Sequence, residues 1–180
     1  MSIIIEIMLL ILDVDGVLTD GKKYYDASGR AVLKTFCDRD FTAIKKFKAA
    51  GWNVVFLSGD PNINESIAKN RNIPFYCNRV DGKMTNKYNF LKKFKEEYNV
   101  TLDDMVYVGD DIFDYDILSA VGWGFCPSNS DPDVMDIATV LNAKGGECCI
   151  GELYEYFRRI KKVGEVYAED VEKFDRNELF

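Results

Sequence analysis

Asp13 and Asp15 stand one residue apart, directly behind the apolar run "IMLLIL" of residues 7–12. Two more apolar runs end in the same way. "WNVVFL" leads into Ser58-Gly59, and "DMVYV" leads into Gly109, Asp110 and Asp111, with Asp114 close behind. Carboxylates at the ends of buried strands cost several kcal/mol each unless something compensates them. If the three strands are neighbours, their ends gather at least four carboxylates around one hydroxyl. A hard divalent cation resolves such a cluster, and oxygen ligands without His or Cys point to Mg2+ rather than zinc.

Such a site, neutralised by Mg2+ and a lysine, suits a phosphate group. Asp13, ionised at neutral pH, could attack phosphorus and form an aspartyl-phosphate. Asp15 points the same way in an extended segment and reaches further out. It could protonate the leaving oxygen and later take a proton from water, a role that needs a raised pKa and that neighbouring carboxylates would favour. Gly16 permits close backbone approach to the transferring oxygens. Asp110 is the candidate direct metal ligand, with Asp111 beside it. Asp114, four residues on, is a second ligand or an outer partner.

Composition narrows the alternatives. The 180 residues contain no histidine, which removes Ser-His-Asp and Cys-His hydrolases and His-ligated zinc enzymes. A net charge of −7 argues against non-specific nucleic-acid binding. Five cysteines without a CxxC pair read as thiols of a reducing, cytoplasmic compartment. No window is apolar and long enough to span a bilayer. The N-terminal run lacks a basic leader and is broken by Glu6, so it reads as a strand entering the core rather than a signal segment.

The elements that must position these residues alternate strand and helix. Strands are expected at 7–12, 52–57, 73–77, 104–108 and 122–126, and helices at 40–50, 84–98, 113–120 and 149–163. Gly51 ends the first helix. A further helix, behind the 52–57 strand, begins either at an Asp60 cap with Pro61 at its first position or at a box between Asn62 and Glu65. Residues 22–36 read as a β-hairpin, and 164–180 as a charged tail following a single domain of 1–163. This alternation means a parallel sheet covered on both faces. Ligands in such sheets bind where the carboxyl ends of the strands meet.

"DVDGVLTDG", "SGD", Lys87 and "GDDIFD" resemble, in order and spacing, the four motifs of the haloacid dehalogenase (HAD) phosphatase superfamily. More closely, "DGVLTDG", the hairpin with "GRAVLKTF", Arg39-Asp40, Asn86-Lys87 and "VGDD" are similar to the small-capped branch that contains 3-deoxy-D-manno-octulosonate 8-phosphate phosphatase. The resemblance covers residues from about 9 to about 153. It implies a three-layer Rossmann-like α/β fold with a β-hairpin flap in place of a cap domain. It further implies Asp13 as nucleophile and Asp15 as general acid/base. Gly16, Ser58, Gly59 and Lys87 would hold the phosphate, with Lys83 the fallback lysine. Mg2+ would lie on Asp13, the carbonyl oxygen of Asp15 and Asp110. The branch implies a homotetramer in which hairpin and tail meet adjacent protomers.

Departures bear on the substrate. Phe41 stands where the branch commonly has Gly, Asp60 where it often has Arg, and Glu147 and Gly151 where it has arginines near the C-terminus. Arginine forks are natural carboxylate binders, so their loss separates the core chemistry from the choice of a sugar acid. A small phosphorylated metabolite, a phosphosugar or sugar-acid phosphate, is the expected substrate. A nucleotide or polynucleotide 3′-phosphatase is the alternative within the enzyme class, and a phospho-receiver or scaffold domain the alternative outside it. Cys148 and Cys149 read as small apolar side chains, Lys45, Lys46 and Lys48 as a solvated helix face, and Phe90, Phe94 and Tyr98 as core. Arg39 reads as a salt-bridge partner or a substrate or subunit contact. Tyr167, Phe174 and Phe180 either dock on a partner or hang free.

Overall fold

The apolar run ahead of the aspartate pair becomes the central strand of the sheet. The computed structural model describes residues 8–179, so the expected strand start at Ile7, the N-terminal run before it and Phe180 lie outside the described residues. In chain order, β1 (Leu9–Leu12) leads to a hairpin of β2 (Tyr24–Tyr25) and β3 (Ala31–Leu33), then α1 (Asp38–Ala49), β4 (Asn53–Ser58), α2 (Asn62–Asn70) and β5 (Phe75–Cys77). A second hairpin, β6 (Arg79–Val80) and β7 (Lys83–Met84), precedes α3 (Phe90–Tyr98), β8 (Met105–Val108) and α4 (Tyr115–Ala120). β9 (Trp123–Cys126), α5 (Pro132–Met135), β10 (Thr139–Val140), α6 (Cys149–Arg159) and α7 (Ala168–Asp175) complete the chain.

Six strands form one parallel sheet in the order β10-β9-β8-β1-β4-β5. The chain builds outward from β1 through β4 and β5, then reverses to the other side of β1 with β8. That reversal is the switch point where a crevice opens at the strand ends. Leu12 is level with Phe56 and Val108, so the residues after β1, β4 and β8 emerge side by side.

Alternation along β1 divides the core between two layers. Leu10 and Leu12 face Phe47, Ile150, Leu153 and Phe157 of α1 and α6. Leu9 and Ile11 face Phe94, Tyr107 and Ile117 on the side of α3 and α4. Phe94 is fully buried with Tyr76 edge-on to it at 4.9 Å, and Phe90 and Tyr98 pack at its margins.

The helix expected at 84–98 is shorter. Met84 belongs to β7, paired with Arg79, and the chain turns through a 3-10 segment at Lys87–Asn89 before α3. Asp81 and Gly82 both have positive φ (47° and 77°), the backbone of a tight two-residue hairpin turn, and Asp-Gly is a favoured pair for it. Lys83 is therefore exposed on a hairpin, not one helical turn from Lys87. Neither expected start of α2 is adopted: Pro61 is the N-cap, no side chain caps the helix, and Asp60 only accepts from the Asn62 amide at 3.3 Å in the turn ahead of it.

Residues 164–180, read as a charged tail, carry α7, which packs back on α1. Phe174 lies under Lys48 at 5.1 Å, and the Leu179 amide donates to the Asn70 carbonyl at 2.8 Å. Lys45, expected on a solvated face, is buried instead and pairs with Asp175 and with Glu178 at 3.2 Å. Glu178 also takes Arg71 at 2.6 Å, with its own side chain only 4% exposed. Glu178→Ala leaves two largely buried cations short of an acceptor. It should cost about 2 kcal/mol, read as a lower denaturant midpoint at unchanged m-value; a midpoint equal to wild type would sink this account of the docked C-terminus.

Candidate active site

The carboxyl ends of β1, β4 and β8 form an open cleft of about 320 Å³ that holds Asp13, Asp15, Gly16, Ser58, Gly59, Lys87, Asp110, Asp111 and Asp114. The Asp13 amide continues the parallel ladder by donating to Val108 O at 3.0 Å, which carries its side chain to the floor of the cleft. Asp13 Oδ1 accepts from the Val14 amide at 2.7 Å, and Oδ2 meets Lys87 Nζ at 2.8 Å.

Lys87 reaches this floor from the 3-10 turn and is almost wholly buried, bridging Asp13 to Asp114 Oδ1 at 2.7 Å. Asp114 is itself fully buried. Its Oδ1 also accepts from Tyr107 Oη at 2.6 Å, while Oδ2 accepts the Asp110 and Asp111 amides at 2.9 and 3.2 Å. Four donors thus occupy Asp114, which acts as counter-ion to Lys87 and brace of the loop after β8.

Asp110 differs. Its Oδ1 is buried and accepts no hydrogen bond. One oxygen each from Asp13, Asp110 and Asp114 lies within 4.8 Å of the others. With Asp114 committed, Asp13 and Asp110 are the carboxylates left to share a cation, and an orphaned buried oxygen among like charges is the environment a hard divalent ion relieves. Gly16 makes room for it: its φ is +82°, and a Cβ there would fall 1.9 Å from Asp110 Oδ2.

The electrostatics agree. Burial, then the charges of Asp13 and Asp114, push the Asp110 carboxyl up to about 8. Burial also raises Asp13, an effect that Lys87 partly offsets. Lys87 is pushed upward despite its burial, because Asp13 and Asp114 outweigh the desolvation.

The other wall is built around Asp15. Its neighbours are not the carboxylates expected from the sequence but two lysines of the flap segment: Lys34 Nζ lies 2.7 Å from Oδ1 and Lys23 Nζ 3.8 Å from Oδ2. Asp15 Oδ2 also accepts from Asn64 Nδ2 at 3.0 Å. The same amide donates to Ser58 Oγ at 2.9 Å, which leaves the buried Ser58 hydroxyl hydrogen free for a phosphoryl oxygen. Asp60, the departure after the second motif, anchors both lysines through Oδ2, at 2.8 Å to Lys34 and 3.0 Å to Lys23. Opposing burial, these two ammonium groups hold the Asp60 carboxyl well below its ordinary value. Gly59 supports Met84 of β7, since a Cβ there would fall 2.5 Å from the Met84 sulfur.

Arg39 is not brought to the cleft. It stands exposed on α1 beside Cys148 and Gly151, in a separate depression. Its neighbour Asp40 is buried and caps α6 by accepting the Ile150 amide at 2.8 Å; burial pushes its carboxyl up to about 6. Cys149 is buried with its thiol on Val17 O at 3.2 Å, and Cys148 is half-buried. The sequence reading missed Lys34, Asn64, Tyr107, Lys23 and Arg79. Tyr107 was accessible through strand alternation, which turns it away from Val106 and Val108. The others depend on hairpins folding over the cleft, which no local pattern announces.

Among the described residues no helix is long and apolar enough to cross a membrane. Residues 60–145 match the family of haloacid dehalogenase-like hydrolases. The chain is 31% identical over 165 residues to 3-deoxy-D-manno-octulosonate 8-phosphate phosphatase of Haemophilus influenzae, covering 90% of this chain and 88% of that one. The cobalt-bound structure of the Haemophilus influenzae phosphatase superposes with a TM-score of 0.77 at 31% identity, over 86% of this chain and 88% of that one. A Vibrio cholerae structure described as a putative phosphatase of the same name gives 0.79 at 27% identity, over 91% and 89%. The chain belongs to the haloacid dehalogenase-like hydrolases and is a phosphatase.

Proposed function

We propose that this phosphatase hydrolyses a primary phosphate ester of a sugar or sugar acid, of the 3-deoxy-D-manno-octulosonate 8-phosphate kind, through an aspartyl-phosphate on Asp13. The observation that carries the reading is the pairing of Asp13 with buried Lys87 and with Asp110, whose inner oxygen has no partner, two residues before Asp15. In the first step an Asp13 oxygen bonds to phosphorus, the ester P–O bond breaks, and the departing alkoxide takes the proton of the Asp15 carboxyl. In the second, a water oxygen bonds to phosphorus, its proton passes to the Asp15 carboxylate, and the Asp13–phosphorus bond breaks. Ester and water become alcohol and phosphate, and both aspartates return to their starting state. Ser58 and Lys87 hold phosphoryl oxygens, with the backbone at Gly16 and Gly59 close enough to help. Asp13, the carbonyl oxygen of Asp15 and Asp110 would hold Mg2+, which would set positive charge against the phosphoryl group; the cobalt-bound relative supports divalent-metal use.

Arg79 supports the sugar-acid form of the reading. It lines the cleft with its guanidinium tethered to Gly59 O at 2.8 Å and Gly82 O at 2.9 Å. Its remaining terminal nitrogen suits a substrate carboxylate, a task for which the branch's usual arginines are missing. The exposed flap residues Tyr24, Tyr25, Val32 and Leu33 support assembly of copies, a homotetramer by the same resemblance. Five free thiols suit a cytoplasmic setting.

The test is phosphate release with Mg2+ or with EDTA, over phosphosugars, sugar-acid phosphates, nucleotides and 3′-phosphorylated oligonucleotides. Mg2+-dependent release, fastest on sugar-acid phosphates, is expected. Preference for an oligonucleotide would move the assignment to the 3′-phosphatase alternative, and no release with Mg2+ bound would favour a receiver or scaffold.

The raised Asp110 carboxyl adds a pH dependence. Below about 8 the metal-free site holds a proton there that a cation must displace. Mg2+ affinity should therefore rise with pH between about 6 and 8, by up to about tenfold per pH unit for each proton released. Calorimetry in buffers of different ionisation enthalpy reads the proton directly; identical heats in all buffers would refute the displacement.

A further inference from the structure

Lys34 and Asn64 are both buried, and neither belongs to the residues assigned above to nucleophile, phosphate or metal. Lys34 follows β3 of the flap, and its side chain has no exposed surface. Its ammonium donates to Asp60 Oδ2 at 2.8 Å and to Asn64 Oδ1 at 2.8 Å, and forms an ion pair with Asp15 Oδ1 at 2.7 Å without hydrogen-bond alignment. Asn64, on the first turn of α2, is equally committed. Its carbonyl faces Lys34, and its amide donates to Asp15 Oδ2 and to Ser58 Oγ. The reverse orientation would set an NH2 against an ammonium and an oxygen against a carboxylate, so the network admits one arrangement.

We infer that Lys34 and Asn64 are positioning residues that hold Asp15 in register with Ser58, so that the acid/base carboxyl and the phosphoryl-binding hydroxyl keep a set separation. The inference rests on the phosphatase reading above. One amide group spans the two functional side chains, while Lys34 ties the same carboxylate to the flap and, through Asp60, to the start of α2. A carboxyl that accepts the Asn64 amide at Oδ2 and faces the buried Lys34 ammonium at Oδ1 is restrained against swinging between rotamers, the precision that proton transfer demands. Docking of the flap thereby becomes a condition for proton transfer, since Lys34 reaches Asp15 only with the hairpin seated.

The prediction concerns leaving groups. An alkoxide needs the proton from Asp15 as the ester bond breaks; p-nitrophenolate leaves without it. The readout is kcat/KM of Lys34→Met and of Asn64→Leu on p-nitrophenyl phosphate and on the primary alkyl phosphate turned over fastest in the panel. General acid catalysis contributes about 10²–10⁴-fold, so misplacing Asp15 should lower the alkyl value at least about tenfold more than the aryl value. Slower hydrolysis of the aspartyl-phosphate should also give a burst of p-nitrophenolate. Equal losses on both substrates, which a purely structural role would produce, overturn the inference and leave the phosphatase reading intact. If Lys34→Met fails to fold, Asn64→Leu decides alone, because it leaves the Lys34 pairs with Asp15 and Asp60 in place. Turnover of neither substrate by the unsubstituted protein overturns the phosphatase reading and this inference with it.

Discussion

Asp13→Asn should abolish phosphate release, by about four orders of magnitude or more, without weakening the fold. An amide oxygen is a poor nucleophile, and no other carboxylate can take over. Asp114 is occupied by Lys87, Tyr107 and two amides, and Asp110 stands at the far side of the gap that a cation would fill. The stability half follows from the direction of the Asp13 shift. Burial raises its carboxyl above the unfolded value, so the folded state holds the proton more tightly. Below the unfolded pKa, near 4, the group costs nothing; as pH rises through the folded pKa the ionised form becomes a growing penalty. Asparagine carries no charge to bury, and Lys87 keeps its bond to Asp114. Above neutral pH the metal-free variant should therefore melt no lower than the parent and gain less from added Mg2+. Residual turnover above one per cent, in protein of unchanged circular dichroism, would remove Asp13 from the nucleophile's role.

The parts of this site visible in sequence are those written as local contrasts. An apolar run that ends in acid marks β1 and β8, and two such ends on adjacent parallel strands lie close whatever the rest of the chain does. Ser58 was legible at the end of the second apolar run, but Lys87 only through family likeness. Nothing in "MTNKYN" distinguishes a buried lysine from a solvated one, and burial comes from the 3-10 turn that aims Lys87 at the sheet. The turn itself was readable: Asp81-Gly82 is a hairpin pair, but the lysines and aromatics that follow at helical spacing extended the expected helix back over it. Lys34 and Lys45 show the opposite limit. Each sits beside ordinary surface residues in sequence, and each is buried by a segment that closes over it, Asp60 and Asn64 for one and the C-terminal Asp175 and Glu178 for the other. Ion pairs across 26 and 130 residues leave no trace in a window of ten.

Lys87→Met should be the most destabilising single change in the cleft and the one most responsive to metal. Lysine and methionine have similar length, so the substitution removes charge and donors with little loss of volume. It strands Asp13 and fully buried Asp114 without the cation that both share at 2.8 and 2.7 Å. Breaking a buried pair by removing one partner costs about 3–5 kcal/mol. Part of that cost is electrostatic, and a divalent cation on Asp13 and Asp110 would offset it. Mg2+ should consequently raise the melting temperature of Lys87→Met more than that of the parent, a difference that a cavity defect would not produce. Activity should stay low at saturating Mg2+, down by about 10²–10³-fold, because the phosphoryl group has lost a donor that sits against the nucleophile. Thermal melts with and without Mg2+, paired with phosphate release, separate the two contributions. Equal Mg2+ stabilisation of variant and parent would mean that Lys87 and the cation do not share the charge of Asp13, and the account of the acidic floor would have to be rebuilt.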